Sequence, residues 1–384
     1  MNISDLKWPI DSWDFLIGCS YTSPGCANCY GKEKAAWHAN KYVSSPYRKV
    51  LQKHEGKYVA WNGEYAHVVG KFLAPLNQVR PRMILTNSTG DMFHPSVPHH
   101  MIAAAFGVMA AATRHTFLIV TKYPHRAKDF FDRALEDDRT RNPGIEATPG
   151  RLHCIHEALV YEMTYSGKED FHTKWCPEIK GPWPLPNVWL GVSVENQVAA
   201  NDRIPHLLQC PATVRFVCYE PALSPIQLDV LDYGSFASLS GLTGDISMAG
   251  RGTSPGMEFS KYPGLDWVVI SGESGKQARP HELSWARSVV RQCRAADVPV
   301  HIKQLGSDVI ETGAPDGSHD ALDMQMQGAG FSRIHALKLT GRGEHMSEWP
   351  VDLRIQEWPS QAQHHINQVM ARQELLRSAE TETR

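Results

Sequence analysis

The residues best suited to chemistry stand together near the start of the chain. Cys19, Cys26 and Cys29 form a C-x6-C-x2-C array between Gly18 and Tyr30, just after the apolar run Phe15-Leu16-Ile17. Three thiols cannot all pair as disulfides among themselves, because one is always left over. They suit an ion or cluster that takes three sulfurs and keeps one position open. Zinc would take them with a fourth ligand from elsewhere. A four-iron cluster held by three cysteines would keep one iron for another ligand. Gly18, Pro24 and Gly25 give the array the bends of a ligand loop.

Polar residues that could serve such a centre follow a series of apolar runs. Asn87, Ser88 and Asp91 follow Met83-Ile84-Leu85-Thr86, and Lys122 follows Phe117-Leu118-Ile119-Val120-Thr121. Ser193 and Glu195 stand at the end of the run from Val188 to Val194, Glu220 after Val214 to Tyr219, and Glu273 after Trp267 to Ser271. Lys303 and Gln304 end the run that starts at Val300. Counting Phe15-Leu16-Ile17 as the first, there are seven candidate strands.

The runs alternate with helical patterns over 33–42, 98–113, 125–135, 196–208 and 284–296. Near-continuous apolar strands alternating with helices predict a parallel sheet covered by helices. No strand is followed by the glycine fingerprint of a dinucleotide site. The predicted fold class is therefore α/β: a partial or complete parallel β/α barrel. In such a fold the site lies at the carboxyl ends of the strands, so the polar residues above are expected on one rim. Ser193, Asn196 and Ser284 have a second reading as helix caps.

Two stretches break the rhythm. Residues 136–187, with their many prolines, read as an insertion, and the Gly- and Ser-rich residues 231–264 read as a mobile loop. His153, Cys154, His156, His172 and Cys176 in the insertion match no metal-ligand spacing. Residues 331–384 read as a C-terminal extension with a helical tail. Residues 44–80 are basic and aromatic, with Lys49, Lys53, Lys57, Trp61 and Tyr65; a solvated loop is the first reading and a polyanion contact the second.

Composition narrows the classes. The chain has 384 residues, 42% hydrophobic, and a formal net charge of −2. That supports a sizeable core and argues against a broad basic nucleic-acid footprint, while leaving room for a local one. Eight cysteines are too few for a disulfide scaffold. With no signal peptide and no membrane-length apolar run, a cytoplasmic protein without a membrane partner is expected.

Taken together, the motifs resemble a phage-associated family related to the radical SAM enzymes. The matching segments are G-C-x6-C-x-x-C-Y (Gly18 to Tyr30), N-S-x-x-D-x-F-H (Asn87 to His94), I-x-T-K (Ile119 to Lys122) and P-N-V-W-L-G-V-S-V-E-N (Pro186 to Asn196). They continue with R-F-V-x-x-E-P (Arg215 to Pro221), D-W-V-x-x-x-G-E-S-G (Asp266 to Gly275), K-Q-x-G (Lys303 to Gly306) and L-x-G-R (Leu339 to Arg342). The first cysteine gap is three residues longer than the commonest radical SAM spacing, C-x3-C-x2-C.

The resemblance implies a radical-SAM-like barrel with a [4Fe–4S] cluster on Cys19, Cys26 and Cys29. S-adenosylmethionine would chelate the fourth iron, and its reductive cleavage would yield a 5′-deoxyadenosyl radical. Asn87, Ser88, Asp91, Ser193 and Glu195 are the expected cofactor-binding residues, and Glu220, Glu273 and Lys303 the expected catalytic ones. The implied reaction is an isomerisation during thymidine hypermodification, moving an amino acid on the thymine methyl carbon from a nitrogen to a carbon attachment. The implied partners are DNA carrying the modified thymidine, or the modified nucleotide, and an electron donor; the implied location is the host cytoplasm. A radical enzyme acting on RNA or a small molecule, and a non-enzymatic metal-stabilised nucleic-acid-binding module, are the alternatives.

Overall fold

A computed structural model describes residues 11–141, 154–158, 160–161, 182–234, 237–248, 261–312, 335–337 and 339–360. Seven strands form one parallel sheet: β1 (Asp11–Trp13), β2 (Met83–Thr86), β3 (Thr116–Thr121), β4 (Val188–Val194), β5 (Val214–Tyr219), β6 (Trp267–Ser271) and β7 (Val300–Gln304). Their order in the sheet is their order in the chain. A doubly wound sheet reverses its strand order at a switch point; this one never does, which is compatible with a partial β/α barrel. The longer helices between the strands, among the described residues, are α1 (Tyr30–Lys41), α2 (His99–Ala111), α3 (Pro124–Arg141), α4 (Gln197–Leu208) and α5 (Leu283–Ala295). Among the described residues, no helix is long and apolar enough to cross a membrane.

The chain divides into two compact units, and each is taken by itself. The first comprises Met1–Val192, His206–Arg215 and Pro359–Arg384. In it α2 is buried at every residue from Met101 to Ala110; a helix apolar on all sides has no solvent face to keep. His115, at the entry to β3, accepts from the Arg82 backbone N–H through Nδ1 (3.2 Å) and has Nε2 2.9 Å from the Pro75 carbonyl. The second unit comprises Ser193–Pro205 and Phe216–Trp358. There the segment from Ile355 to Glu357 bonds to β7: Ile302 N donates to Ile355 O (2.8 Å) and Glu357 N to Val300 O (2.8 Å). That pairing covers an edge that would otherwise present unpaired backbone groups.

Several expectations need correction. The first strand of the sheet is Asp11–Trp13, paired with Ile84–Thr86, and not Phe15-Leu16-Ile17. Leu16–Ile17 pairs antiparallel with Ala66–His67. Phe15, Leu16 and Ile17 are all buried, whereas Asp11–Trp13 buries only Trp13; an apolar run marks burial, and the backbone partner decides which segment joins the sheet. The Asn87 N–H donates to the Trp13 carbonyl (3.1 Å) at the end of β2, and the chain then leaves the sheet.

The described part of the expected mobile loop is ordered. Leu231–Asp232, Ala237–Leu239 and Ile246–Met248 make a three-stranded antiparallel sheet. Gly244 serves packing: a Cβ there would lie 1.8 Å from the Tyr262 carbonyl oxygen. Residues 249–260 lie outside the described residues. So do His153, His172, Cys176 and the tail beyond Ser360.

The insertion begins as helix, since α3 runs to Arg141. Further on, Cys154 and Tyr161 are buried, and the Tyr161 ring lies 3.8 Å from that of Phe72, centroid to centroid. The basic stretch within 44–80 is no loop: Leu51–His54 and Lys57–Trp61 form a hairpin.

Three buried histidines make stability pH-dependent. Burial lowers His115, His281 and His301 to about 4 each, whereas an unfolded histidine protonates near 6.5. Between those values the unfolded chain binds more protons, so stability falls as pH falls through that window. The urea midpoint is expected to be clearly lower at pH 5 than at pH 7. An equal midpoint at both would show that these imidazoles are not held neutral.

Candidate functional site

In the first unit, the cysteine loop is pinned at both ends. At its start Gly18 takes φ +108°, and a Cβ there would meet the Glu64 carbonyl oxygen at 2.2 Å; only glycine serves. Gly18 N donates to Thr89 O (3.0 Å). At the loop's end Cys29 is the residue before α1, and Glu33 N donates to its carbonyl (3.1 Å). Between them Pro24–Cys26 makes one 3-10 turn, with Cys26 N bonded to Ser23 O (2.9 Å).

The segment after β2 holds this loop from beneath. Asn87 sits at φ +58°, a conformation asparagine tolerates better than most residues. Its side-chain nitrogen is placed to donate to the carbonyls of Leu16 (3.2 Å) and Trp13 (3.1 Å). Ser88 Oγ donates to Asp14 Oδ2 (2.9 Å), and Thr89 N donates to Asp14 Oδ1 (3.2 Å). The buried Asp91 carboxylate accepts from Thr121 Oγ1 (2.8 and 3.0 Å), Lys122 N (2.9 Å) and Phe93 N (2.9 Å). Burial raises the Asp91 pKa against the pull of those bonds. Asn87, Ser88 and Asp91 thus support the loop from the ends of β2 and β3.

The three thiols are all free and partly exposed, and the surroundings push Cys19 and Cys26 in opposite directions. Burial and the neighbouring Asp91 push the Cys19 thiol up, and charge on Cys26 or Cys29 would raise it further. Cys26 goes the other way. Burial opposes its thiolate, but the Lys122 ammonium and hydrogen bonds from Thr22 and Ser23 outweigh that and bring the pKa down to about 7. Lys122 Nζ lies 3.3 Å from Cys26 Sγ and 3.1 Å from Ser23 Oγ. Beside this pair, Ser20 Oγ lies 2.8 Å from His94 Nε2, and His94 Nδ1 lies 2.7 Å from Ser96 Oγ.

The donor set fits a metal centre in kind. Three thiols on one loop feel one another's charge, and thiolates are the ligands that iron–sulfur clusters and zinc take. Among the described residues, no group of three or more His, Cys, Asp or Glu side chains is already gathered as a metal site.

The second unit carries its own polar group at the strand ends. Lys303 Nζ, at the end of β7, donates to Glu220 Oε1 just past β5 (2.6 Å), and both side chains are partly exposed. Ser193 Oγ donates to the Glu220 carbonyl (3.0 Å). Glu195 is fully buried and accepts from Arg203 Nη1 (2.9 Å), which also donates to Ser193 O (2.6 Å). Glu273 accepts from the backbone N, Nε and Nη2 of Arg279 (2.9, 2.9 and 2.6 Å).

The register of β6 against β7 shifts between Ile270 and Ser271, just before Glu273. Gly272 makes room for backbone: a Cβ there would lie 2.0 Å from the Leu305 carbonyl oxygen. Of the residues with a second reading as caps, Asn196 does cap α4, accepting from Ala199 N (2.9 Å). Glu282 caps α5 in place of Ser284.

Sequence reasoning placed Lys122 at a strand end without giving it a role, and it gave Asp14 none. The T-K ending of the β3 run was the available signal for Lys122. Nothing local marks Asp14, whose donors Ser88 and Thr89 lie some seventy positions away. No curated protein and no solved structure matches the chain. A family model described as a protein of unknown function, DUF5131, matches residues 3–367. Since that is most of its length, the chain belongs to the DUF5131 family.

Proposed function

We propose that this protein is a radical SAM enzyme whose Cys19, Cys26 and Cys29 hold a [4Fe–4S] cluster. The observation that carries the reading is three free thiols on one pinned loop, with Lys122 Nζ 3.3 Å from Cys26 Sγ. Such a cluster, with S-adenosylmethionine on its open iron, supplies one-electron chemistry that removes hydrogen from an unactivated carbon. The protein's part is to hold, aim and shield. Asp14, Asn87, Ser88 and Asp91 set the loop's position, and Lys122 offsets the negative charge that three thiolates bring.

The motifs shared with the phage-associated family favour a specific reaction. It is the rearrangement of an amino-acid adduct on thymidine in DNA. Glu220 and Lys303, an ion pair at 2.6 Å, are assigned to the substrate as a proton-exchanging pair. Glu273 is assigned to shaping the loop that Arg279 closes upon it.

The decisive test is anaerobic reconstitution with iron and sulfide, then reduction with S-adenosylmethionine present. 5′-Deoxyadenosine is expected. Its absence from a fully iron-loaded sample, or a protein that takes up only zinc, would remove the radical reading. With that assay in place, Glu220→Gln is expected to lower turnover by roughly 10²-fold while iron content stays at the wild-type level. Unchanged turnover would take Glu220 out of the chemistry.

A further inference from the structure

The helix that leaves the third cysteine carries a surface that the chemistry above does not use. Tyr30, Trp37 and Tyr42 are 56%, 59% and 41% exposed, a large aromatic area to leave in water. Lys41 sits against two rings: its Nζ is 4.6 Å from the Trp37 centroid and 5.2 Å from that of Tyr42. On the adjoining hairpin, Lys53 Nζ is 4.9 Å and the Arg48 guanidinium carbon 5.4 Å from the Tyr58 centroid.

The hairpin and α1 are joined by hydrogen bonds and share a small core. Asn40 Nδ2 donates to Tyr58 O (2.8 Å) and Asn40 Oδ1 accepts from Tyr58 N (2.9 Å). Beneath them Ile17, Ala35, Ala39, Val50 and Leu51 close a small core.

Charge tells what this surface faces. Between residues 30 and 61, lysine and arginine outnumber carboxylates seven to two, in a chain whose net charge is −2. A protein partner is disfavoured, because lysine is depleted from protein–protein interfaces. Exposed rings interleaved with cations are what a nucleic-acid strand with unstacked bases takes: bases stack on the rings and phosphates meet the ammonium groups. A duplex hides its base faces and would use the charge alone.

We infer that α1 and the Leu51–Trp61 hairpin form a docking surface for single-stranded DNA, with Trp37 and Tyr42 as stacking residues and Lys41, Lys53 and Lys57 as phosphate contacts. This deepens the proposed function and rests on its DNA substrate. A base that must leave the helix for chemistry leaves unpaired strand beside it, and this surface begins at the residue after Cys29.

Binding of the full chain to a short fluorescent oligodeoxythymidylate, read by anisotropy, tests the inference. Trp37→Ala is expected to weaken binding about tenfold, with Trp37→Phe retaining most of it. Lys41→Glu with Lys53→Glu is expected to weaken it further and to flatten its decline between about 50 and 200 mM salt. An oligouridylate arm separates DNA from RNA, and tighter binding to RNA overturns the DNA assignment. Equal affinity in wild type and all variants overturns the surface, as does binding to phosphatidylserine vesicles with none to the oligonucleotide.

Iron content and 5′-deoxyadenosine yield are measured on the same samples. Variants that lose DNA affinity but keep both confirm a surface separate from the cluster. A chain that never takes up iron, yet loses DNA affinity in these variants, overturns the radical reading and leaves the surface standing.

Discussion

Cys26→Ala is expected to abolish cluster assembly: after anaerobic reconstitution, the variant should carry almost no iron or sulfide and produce no 5′-deoxyadenosine. The magnitude follows from ligand count. With three protein sulfurs, no fourth cysteine is present on the loop to substitute, and loss of one leaves two irons without a protein ligand. Cys26 Sγ also lies 3.3 Å from Lys122 Nζ, and its surroundings favour the thiolate, bringing its pKa down to about 7. Since a thiolate is the form that binds metal, Cys26 is well placed to take the first iron. The side chain is partly exposed, so the alanine variant should fold, and far-UV circular dichroism will show it. A full iron complement in that variant would end the assignment of the loop as a cluster site.

The second large effect concerns Asp91. Asp91→Ala is expected to cost about 3–5 kcal/mol of stability, in line with removing one member of a buried hydrogen-bonded network. Three donors would lose their acceptor at once: the Thr121 hydroxyl and the backbone N–H groups of Phe93 and Lys122. Asp91→Asn should lose less, about 1–3 kcal/mol, because its oxygen still accepts while its amide nitrogen faces donors. Urea unfolding of both variants measures this. Because Asp91 fixes the backbone of Lys122, the variants should also assemble the cluster more slowly. A loss below about 1 kcal/mol for the alanine variant would show that Asp91 does not tie the ends of β2 and β3 together.

The two expectations draw on different levels of the chain. The C-x6-C-x2-C array is local, set by residue type and spacing, so it was legible as a candidate site before any fold was known. Asp91 was legible only as a polar residue past an apolar run. Its role as an anchor arises from contacts thirty positions away, which no local pattern encodes. Glu273 shows the same gap: one carboxylate after a strand, which the fold commits to Arg279. Its neighbour Gly272 follows suit, since what comes close there is the backbone at Leu305.

The strand and helix series was readable because buried parallel strands are apolar along their whole length and helices are not. Six of the seven expected strands are in the sheet at nearly the expected places. The edge strand failed for a physical reason. Asp11-Ser12-Trp13 carries no apolar run, and a strand at an edge needs only one partner. Phe15-Leu16-Ile17 buries itself as a sheet strand would, but against other elements. Glycine content misled in the same way at 231–248: glycine marks either freedom or crowding, and only the approach of Tyr262 to Gly244 shows that crowding applies.

By itself, then, the sequence determined the alternation of strands and helices and the presence of three closely spaced thiols, because both are set by neighbours in the chain. The tertiary structure alone decided which strand forms the edge, which lysine stands beside which sulfur, and which carboxylates are tied up in the scaffold. Those outcomes depend on groups distant in sequence meeting in space, where burial and charge set their protonation and partners.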